Sequence, residues 1–385
     1  MREFNMNRYA FTDCVDLVGN ACKEFSGEKD YVSTGAVSGD HINQSAVEIV
    51  DYIGRPSRAN LVVEGGDILF AKMQGTKKTL FITEELSENI YSTGFCAVRP
   101  HSNVLTSKCL FYLLNSKTFL DQKDKNCSGA TQKAITNSGL KKILITLPPI
   151  DRQSLIANQL DLISNIIKTK NSELQQLDDL VKARFVEMFG EPQKNPFKFR
   201  MARLKDTCEV ITGNTPPRSV KKYYGDFIEW IKTDNIVSGL INPTTASECL
   251  SEAGMHAGRT VDENVILMAC IAGSVASIGR VCVTNRKVAF NQQINAIVPR
   301  DYNVLFLYVM LTIAKPYLVE NLNMALKGIL SKSKLEEKSF IVPPLDLQNE
   351  FASFAQQVEK SKAAVQKSLD ETQLLFESLL QKYFE

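Results

Sequence analysis

Residues 147–153 read LPPIDRQ, and residues 342–348 read VPPLDLQ. A chain that writes Pro-Pro-apolar-Asp-x-Gln twice, each time ahead of a long amphipathic run, poses the question of an internal repeat. That question comes before any site is counted. An offset of 195 carries Pro343, Pro344, Asp346 and Gln348 onto Pro148, Pro149, Asp151 and Gln153. It also carries Ala352 onto Ala157, Leu369 onto Leu174, Leu375 onto Leu180 and Phe384 onto Phe189. Upstream the match persists with small gaps. NQQINAIVP (291–299) lies on STGFCAVRP (92–100), ILMACIAGS (266–274) on ILFAKMQGT (68–76), and WIKTDNI (230–236) on YVSTGAV (31–37). The ordered series makes the chain two copies of one unit, each a mixed domain followed by a helix.

From Ile156 the apolar spacing alternates four and three: Ile156, Leu160, Ile163, Ile167, then Leu174, Leu177, Val181 and Met188, with Lys170 and Arg184 as polar interruptions. The second copy gives Phe351, Ala355, Val358, then Val365, Leu369, Phe376, Leu379 and Tyr383, interrupted by Lys362 and Thr372. This is a two-position heptad seam, too narrow to be satisfied by water, and it needs a partner helix. The other copy is the obvious partner. Helix 1 leads directly into the second domain, so a helix 2 that folds back along it makes an antiparallel pair with pseudo-two-fold symmetry. Each rod of about 40 residues spans about 60 Å. Pro-Pro ends the preceding strand, which places Asp151 and Asp346 to cap the helix N-termini. The expected boundaries are a domain over 1–150, a helix over 151–190, a domain over 191–345 and a helix over 346–385.

Within the domains, DILFAK (67–72), FCAVRP (95–100), VILMAC (265–270) and RVCVT (280–284) read as short strands. SKCLFYLLNS (107–116) and NVLFLYVMLTIA (303–314) read as helices. The fold class is therefore α+β. Net charge is +1 over 1–150, −1 over 151–190, +5 over 191–345 and −3 over 346–385. Basic globules on neutral-to-acidic rods fit nucleic acid touching the domains while the rods serve another contact.

A chain of 385 residues, 44% hydrophobic and 23% charged, is a two- or three-domain globular protein. No apolar stretch approaches the roughly 20 residues of a membrane span, and MREFNMNRYAFTDC (1–14) lacks the apolar core of an export signal. Nine scattered cysteines without a CxxC pair read as reduced thiols in a cytoplasmic protein.

Catalytic motifs are missing. There is no GxxxxGK[ST] loop and no GxGxxG turn, and GSVASIG (273–279) reads as a loop between strands. His41, His101 and His256 have no partner at metal-ligand spacing, so no metal site is expected. DFIEWIK (226–232) is no nuclease core, because Glu229 and Lys232 fall on opposite faces of a strand. NPTT (242–245) and NPFK (195–198) depart from the Asn-Pro-Pro-aromatic tetrad of amino-methyltransferases. No catalytic residue is assigned.

ITGNTPPRSVKKYYGDFIEWIKTDNI (211–236) resembles the opening of a target-recognition domain in specificity subunits of type I restriction–modification enzymes. That family shows Gly-x-Thr-Pro, a basic stretch, a Tyr-rich patch, then Trp-Ile and an Asp before Ile. LPPIDRQ, VPPLDLQ and FVEMFGEP (185–192) are similar to the borders of its spacer helices. The first domain departs from the pattern: it has no Gly-x-Thr-Pro and carries Tyr31 where the second has Trp230. The resemblance implies a non-catalytic reader of double-stranded DNA, each globule recognising one half of a split target. The helices set the distance between halves and bind two methyltransferase subunits, which carry S-adenosylmethionine; the chain itself holds no cofactor. Restriction, where present, needs a separate ATP-driven subunit. A rod of about 60 Å corresponds to between one and two turns of B-DNA.

Phosphate contacts call for loop Lys and Arg, and base readout for Arg, Asn, Gln, Ser and Thr. In the second domain these are Thr215, Arg218, Lys221, Lys222, Tyr223 and Tyr224, then Lys232, Asp234 and Asn235. The amide run Asn291, Gln292 and Gln293 suits adenine edges but equally a hydrophilic turn, and Lys327, Ser331 and Lys332 follow in ALKGILSKSK (325–334). The first-domain counterparts are Ser33, Thr34, Lys72, Gln74, Lys77, Lys78, Ser92, Thr93, Gln132 and Lys133. Tyr223, Tyr224 and Trp230 read more readily as core aromatics than as base wedges. Two other readings stay open: an enzyme with degenerate nuclease or methyltransferase motifs acting on DNA, and a coiled-coil scaffold without a DNA role.

Overall fold

The computed structural model describes residues 6–274, 276–320 and 328–385. They form two compact units, one of the chain up to Lys170 together with Lys367–Glu385, the other of Asn171–Gln366. Each contains one domain and portions of both long helices.

The first unit is built on the antiparallel sheet Val15–Val18, Phe95–Pro100, Ile68–Ala71, Thr79–Phe81. All four residues of Ile68–Ala71 are buried, which requires cover on both faces. Ile68 and Phe70 face a core with Leu110, Leu113 and Phe119 from the helices Ser107–Leu114 and Lys117–Lys125. Leu69 and Ala71 face the other way, into a core with Val32 and Tyr91. Those two belong to a second sheet, Glu48–Val50, Lys29–Val32, Ile90–Ser92, Ala59–Leu61, whose middle pair is parallel.

The second unit repeats this plan. Its first sheet runs Cys208–Thr212, Ile294–Pro299, Ile266–Ala269, Val281–Val283. Ile266 and Met268 again face one core, Leu267 and Ala269 another. The second sheet again holds a parallel pair, with Trp230 opposite Ala289 where the first unit sets Tyr31 opposite Ile90. The alignment of WIKTDNI on YVSTGAV therefore holds at its strand residues, Trp230 and Ile231 on Tyr31 and Val32. The strands read from sequence are present, trimmed by a residue at some ends, and the second helical patch is the helix Val304–Ile313.

The long helices span Ile150–Phe189 and Leu345–Phe384. Every residue of both heptad seams, Lys170, Arg184, Lys362 and Thr372 included, is buried or half-buried. In the first unit Ile156 and Leu160 share a core with Leu380, Tyr383 and Phe384, and the Tyr383 hydroxyl lies 3.1 Å from Gln159 Oε1. In the second, Phe185 and Phe189 enclose Phe351 at ring distances of 5.4 and 5.8 Å. There Asp178 pairs with Lys362 at 2.7 Å and Arg184 with Glu350 at 3.4 Å. Partner numbers fall as the first helix's rise, so the pair is antiparallel.

The aspartates do not cap. Each helix begins one residue after the second proline, and the backbone carbonyls of Pro149 and Pro344 accept its first bonds, from Arg152 N and Gln348 N. Asp151 and Asp346 lie inside the first turn, where a negative charge suits the helix dipole. The glutamine of the motif secures the junction instead. Gln153 is fully buried: its Oε1 accepts from Thr106 N at 2.8 Å, while Nε2 donates to Val104 O and Pro148 O at 2.8 and 3.1 Å. Gln348 repeats this with Asn303 N, Asp301 O and Pro343 O at 2.9, 3.2 and 2.9 Å. One side chain thus pins the helix start to the loop before the domain's own helix, which answers why the motif is written twice.

Candidate nucleic-acid interface

In each unit three chain segments meet at one junction beside the central strand. In the first, Lys72 N donates to Gly94 O at 3.0 Å, and Ile135 N donates to Lys72 O at 2.9 Å. In the second, Cys270 N donates to Gln293 O at 2.8 Å, and Leu330 N donates to Cys270 O at 2.9 Å. The scaffold is the same, but the side chains it carries are different.

The first junction opens as a cleft of about 310 Å³ lined by Thr34, Lys72, Thr93, Gln132 and Lys133, together with Arg58 and Met73. Lys72 Nζ donates to Thr93 O at 3.0 Å and Lys78 Nζ to Thr34 O at 2.7 Å, holding two cations at the rim. Gln74 sits on a fixed loop: its backbone N donates to Lys133 O, and the buried Lys123 donates to Met73 O and Thr76 O at 3.1 and 2.8 Å. Ser33 and Ser92 serve the backbone, accepting from Ala36 N and Gly94 N, and Ser92 is buried. Lys77 lies apart, lining a depression with Lys117, Asp121 and Glu377.

In the second unit Trp230 is buried, its indole N donating to Asn214 O, and Tyr224 packs edge-on against it. Arg218 lies over both rings, 4.7 Å from the Tyr224 centroid and 5.1 Å from that of Trp230. Lys232 lies 5.1 Å from the Trp230 ring. Glu248 binds both cations, and their hydrogen bonds, Arg218 first, hold its carboxyl below the usual glutamate range against the opposing effect of burial. The Thr215 hydroxyl donates to Gln292 Oε1, Asn291 is buried with Nδ2 donating to Gln293 Oε1 at 3.1 Å, and Gln292 is exposed. Asn235 closes its own loop, accepting from Lys232 N at 3.0 Å and donating to Thr245 O at 3.1 Å. Lys221, Lys222 and Asp234 are exposed, and Tyr223 is half-buried. The bridge Ile271–Ala272 to Gly328–Ile329 brings the next segment alongside, where Ser331 caps the helix Lys332–Glu336 and Lys332 is exposed. Lys327 lies outside the described residues.

Sequence reading missed Arg58, Glu248, Lys123 and the two pinning glutamines. Only the glutamines left a signal, their recurrence at the same offset. Among the described residues no group of three or more His, Cys, Asp or Glu could hold a metal ion, and no helix is long and apolar enough to cross a membrane.

Residues 17–178 and 196–372 each match the family model of the type I restriction modification DNA specificity domain. Among curated proteins, the chain is 22% identical to the type I restriction enzyme HindI specificity subunit of Haemophilus influenzae, over 71% of this chain and 76% of that one. It is also 22% identical to the MjaIX specificity subunit of Methanocaldococcus jannaschii, over 75% and 70%. Two solved structures share the fold. One, described as the structural basis underlying complex assembly and conformational transition of the type I R-M system, gives a TM-score of 0.58 at 20% identity, covering 100% of this chain and 99% of that one. The other, the type I restriction-modification S subunit from M. genitalium, gives 0.55 at 15% identity, covering 100% and 97%.

Proposed function

Because the chain belongs to the type I restriction–modification DNA specificity family, we propose that its two domains each read one half of a split double-stranded DNA target. The long helices hold the halves at a set distance and dock two methyltransferase subunits, which bring S-adenosylmethionine to the adenine. A restriction subunit joins where the system cleaves DNA. The chain works in the cytoplasm, contributes recognition and placement, and catalyses no step itself.

One observation carries this reading: the shared junction with different occupants. Backbone bonds at Lys72 and Cys270 are the same, yet one junction presents Lys72, Thr93 and Lys133, the other Gln292 and Gln293. A common frame with different donors and acceptors is what two readers of unlike half-sites require. Cations for phosphates are available in Arg58 and Lys133 at the first junction, in Lys78 bonded to Thr34 beside it, and in the exposed Lys221 and Lys222 of the second unit.

The test expresses the chain with its methyltransferase in a methylation-free host and sequences the methylome. The expected result is one motif of two defined halves around an unspecified gap, and no methylation by the purified chain with S-adenosylmethionine alone. A continuous motif, or methylation by the isolated chain, contradicts the reading.

A further inference from the structure

The candidate reading segments lead to turns of identical sequence. In the first unit Ser33 and Thr34 precede Val37-Ser38-Gly39; in the second Thr233–Asn235 precede Val237-Ser238-Gly239. Gly39 and Gly239 have φ of +59° and +84°, and a Cβ on either would meet no atom within 4 Å. The left-handed bend, and not crowding, therefore calls for glycine.

Each turn is stitched to its own sheet on one side. Thr79 N donates to Gly39 O at 2.9 Å; Val283 N donates to Ile241 O at 2.6 Å, and Arg280 Nη1 to Ile236 O at 3.3 Å. On the other side each meets a lysine of a long helix within the same unit. Lys168 Nζ lies 2.8 Å from Oδ2 of Asp40, the residue after Gly39. Lys362 Nζ reaches Gly239 O at 3.5 Å while holding Asp178 and Glu359 at 2.7 and 2.9 Å.

The two lysines are not equivalent in strength. Lys168 is 60% exposed, and a surface pair of this kind contributes little stability. Lys362 sits in the heptad seam with its side chain 12% exposed, a place where an apolar residue would pack at no desolvation cost. A buried lysine there weakens the helix pair unless its contacts fix something. What it contacts is the turn leaving the reading segment, beside a cavity of about 400 Å³ that Ser238, Gly239 and Tyr308 also line. Each turn, a few residues along the chain from candidate DNA contacts, is thus tied to a long helix through one lysine.

We propose that these Val-Ser-Gly elbows set the angle of each reading domain on its long helix, with Lys168 and Lys362 as positioning residues that decide which gap between half-sites is accepted. The inference rests on the proposed function. Each added base pair turns the next half-site by about 35° and moves it by about 3.4 Å. A domain held at one angle rejects that change, and a domain freed from its lysine follows it. Loss of either lysine therefore widens the accepted gap without altering the half-site sequences. Lys362, the less exposed and more fully paired, has the larger effect.

The experiment assembles the full chain with its methyltransferase subunits as wild type, Lys168→Met, Lys362→Met, the double variant and Lys362→Arg. Each complex meets a DNA library with fixed half-sites and gaps varied in single base pairs, and methylation is read at every gap. The wild type should show one peak. The methionine variants should gain several-fold at gaps one base pair longer or shorter, most in the double variant, while Lys362→Arg keeps the single peak. Loss spread evenly over all gaps, or an unchanged profile in Lys168→Met, whose exposed site tolerates the change, overturns the proposal and leaves the lysines as fold-stabilising pairs. A wild-type complex insensitive to the gap overturns the split-target reading itself, and the elbow proposal with it.

Discussion

Gln348 is fully buried, and its amide serves one backbone N–H and two carbonyls at the start of the second long helix. Gln348→Leu keeps the bulk but strands those groups away from water, a loss of about 3 kcal/mol or more. Asp346→Ala, in the same first turn, removes only a dipole interaction of roughly 0.3–1 kcal/mol. Denaturant midpoints compare the two, and a larger loss for Asp346→Ala would restore the aspartate as the cap. The sequence displayed the glutamine through its repetition but hid its task, because two of its three partners, Asn303 and Asp301, lie 45 and 47 residues upstream. Glu248 was hidden for a similar reason: nothing in a lone glutamate marks it as the counter-charge of Arg218 and Lys232. Its carboxyl is held below the ordinary value of 4.5, so its contribution to stability is complete above that pH and is lost as pH falls through the lower folded value. Glu248→Gln should flatten that acid dependence. It should also free two cations, strengthening DNA binding by the assembled complex and steepening its salt dependence by about one unit per added phosphate contact. An unchanged salt slope would place Arg218 and Lys232 off the phosphates.

The elements differed in how far they could be read. The long helices were the clearest, because a heptad seam repeats often enough to fix period and face, and the structure buries or half-buries every residue named in it. Short strands were legible where an apolar run is bounded by turn residues, as in FCAVRP. The parallel pairing of Lys29–Val32 with Ile90–Ser92 was not, since no local pattern records a partner nearly 60 residues away. The helices also carry a prediction about spacing. Four residues inserted after Leu174 lengthen the helix by about 6 Å, close to two base-pair steps, and rotate the downstream portion of the helix by roughly 40°. Such a stutter unwinds the seam locally without abolishing it. Methylome sequencing of this variant should show both half-sites retained and the gap longer by one or two base pairs, more cleanly with a matching insertion in the second helix. A variant that still methylates at the original gap would reduce the helices to docking surfaces.

At the scale of the whole chain, two copies of one plan carry divergent residues at matching backbone positions, and that contrast is the basis for proposing two independent readers. The plan was visible in the sequence because core strands such as ILFAKMQGT and ILMACIAGS kept their pattern. The candidate reading residues were visible only as types, since a lysine on a rim and a lysine in a salt bridge look alike until the loops around them are placed. Independence of the two readers is tested most directly by exchanging residues 191–345 for the corresponding domain of a relative with a different target, and mapping methylation by the hybrid with its methyltransferase. The expected motif keeps one half of the original target, replaces the other half, and preserves the gap. A hybrid that methylates but changes both halves together would contradict the account, because one domain would then be shaping what the other reads.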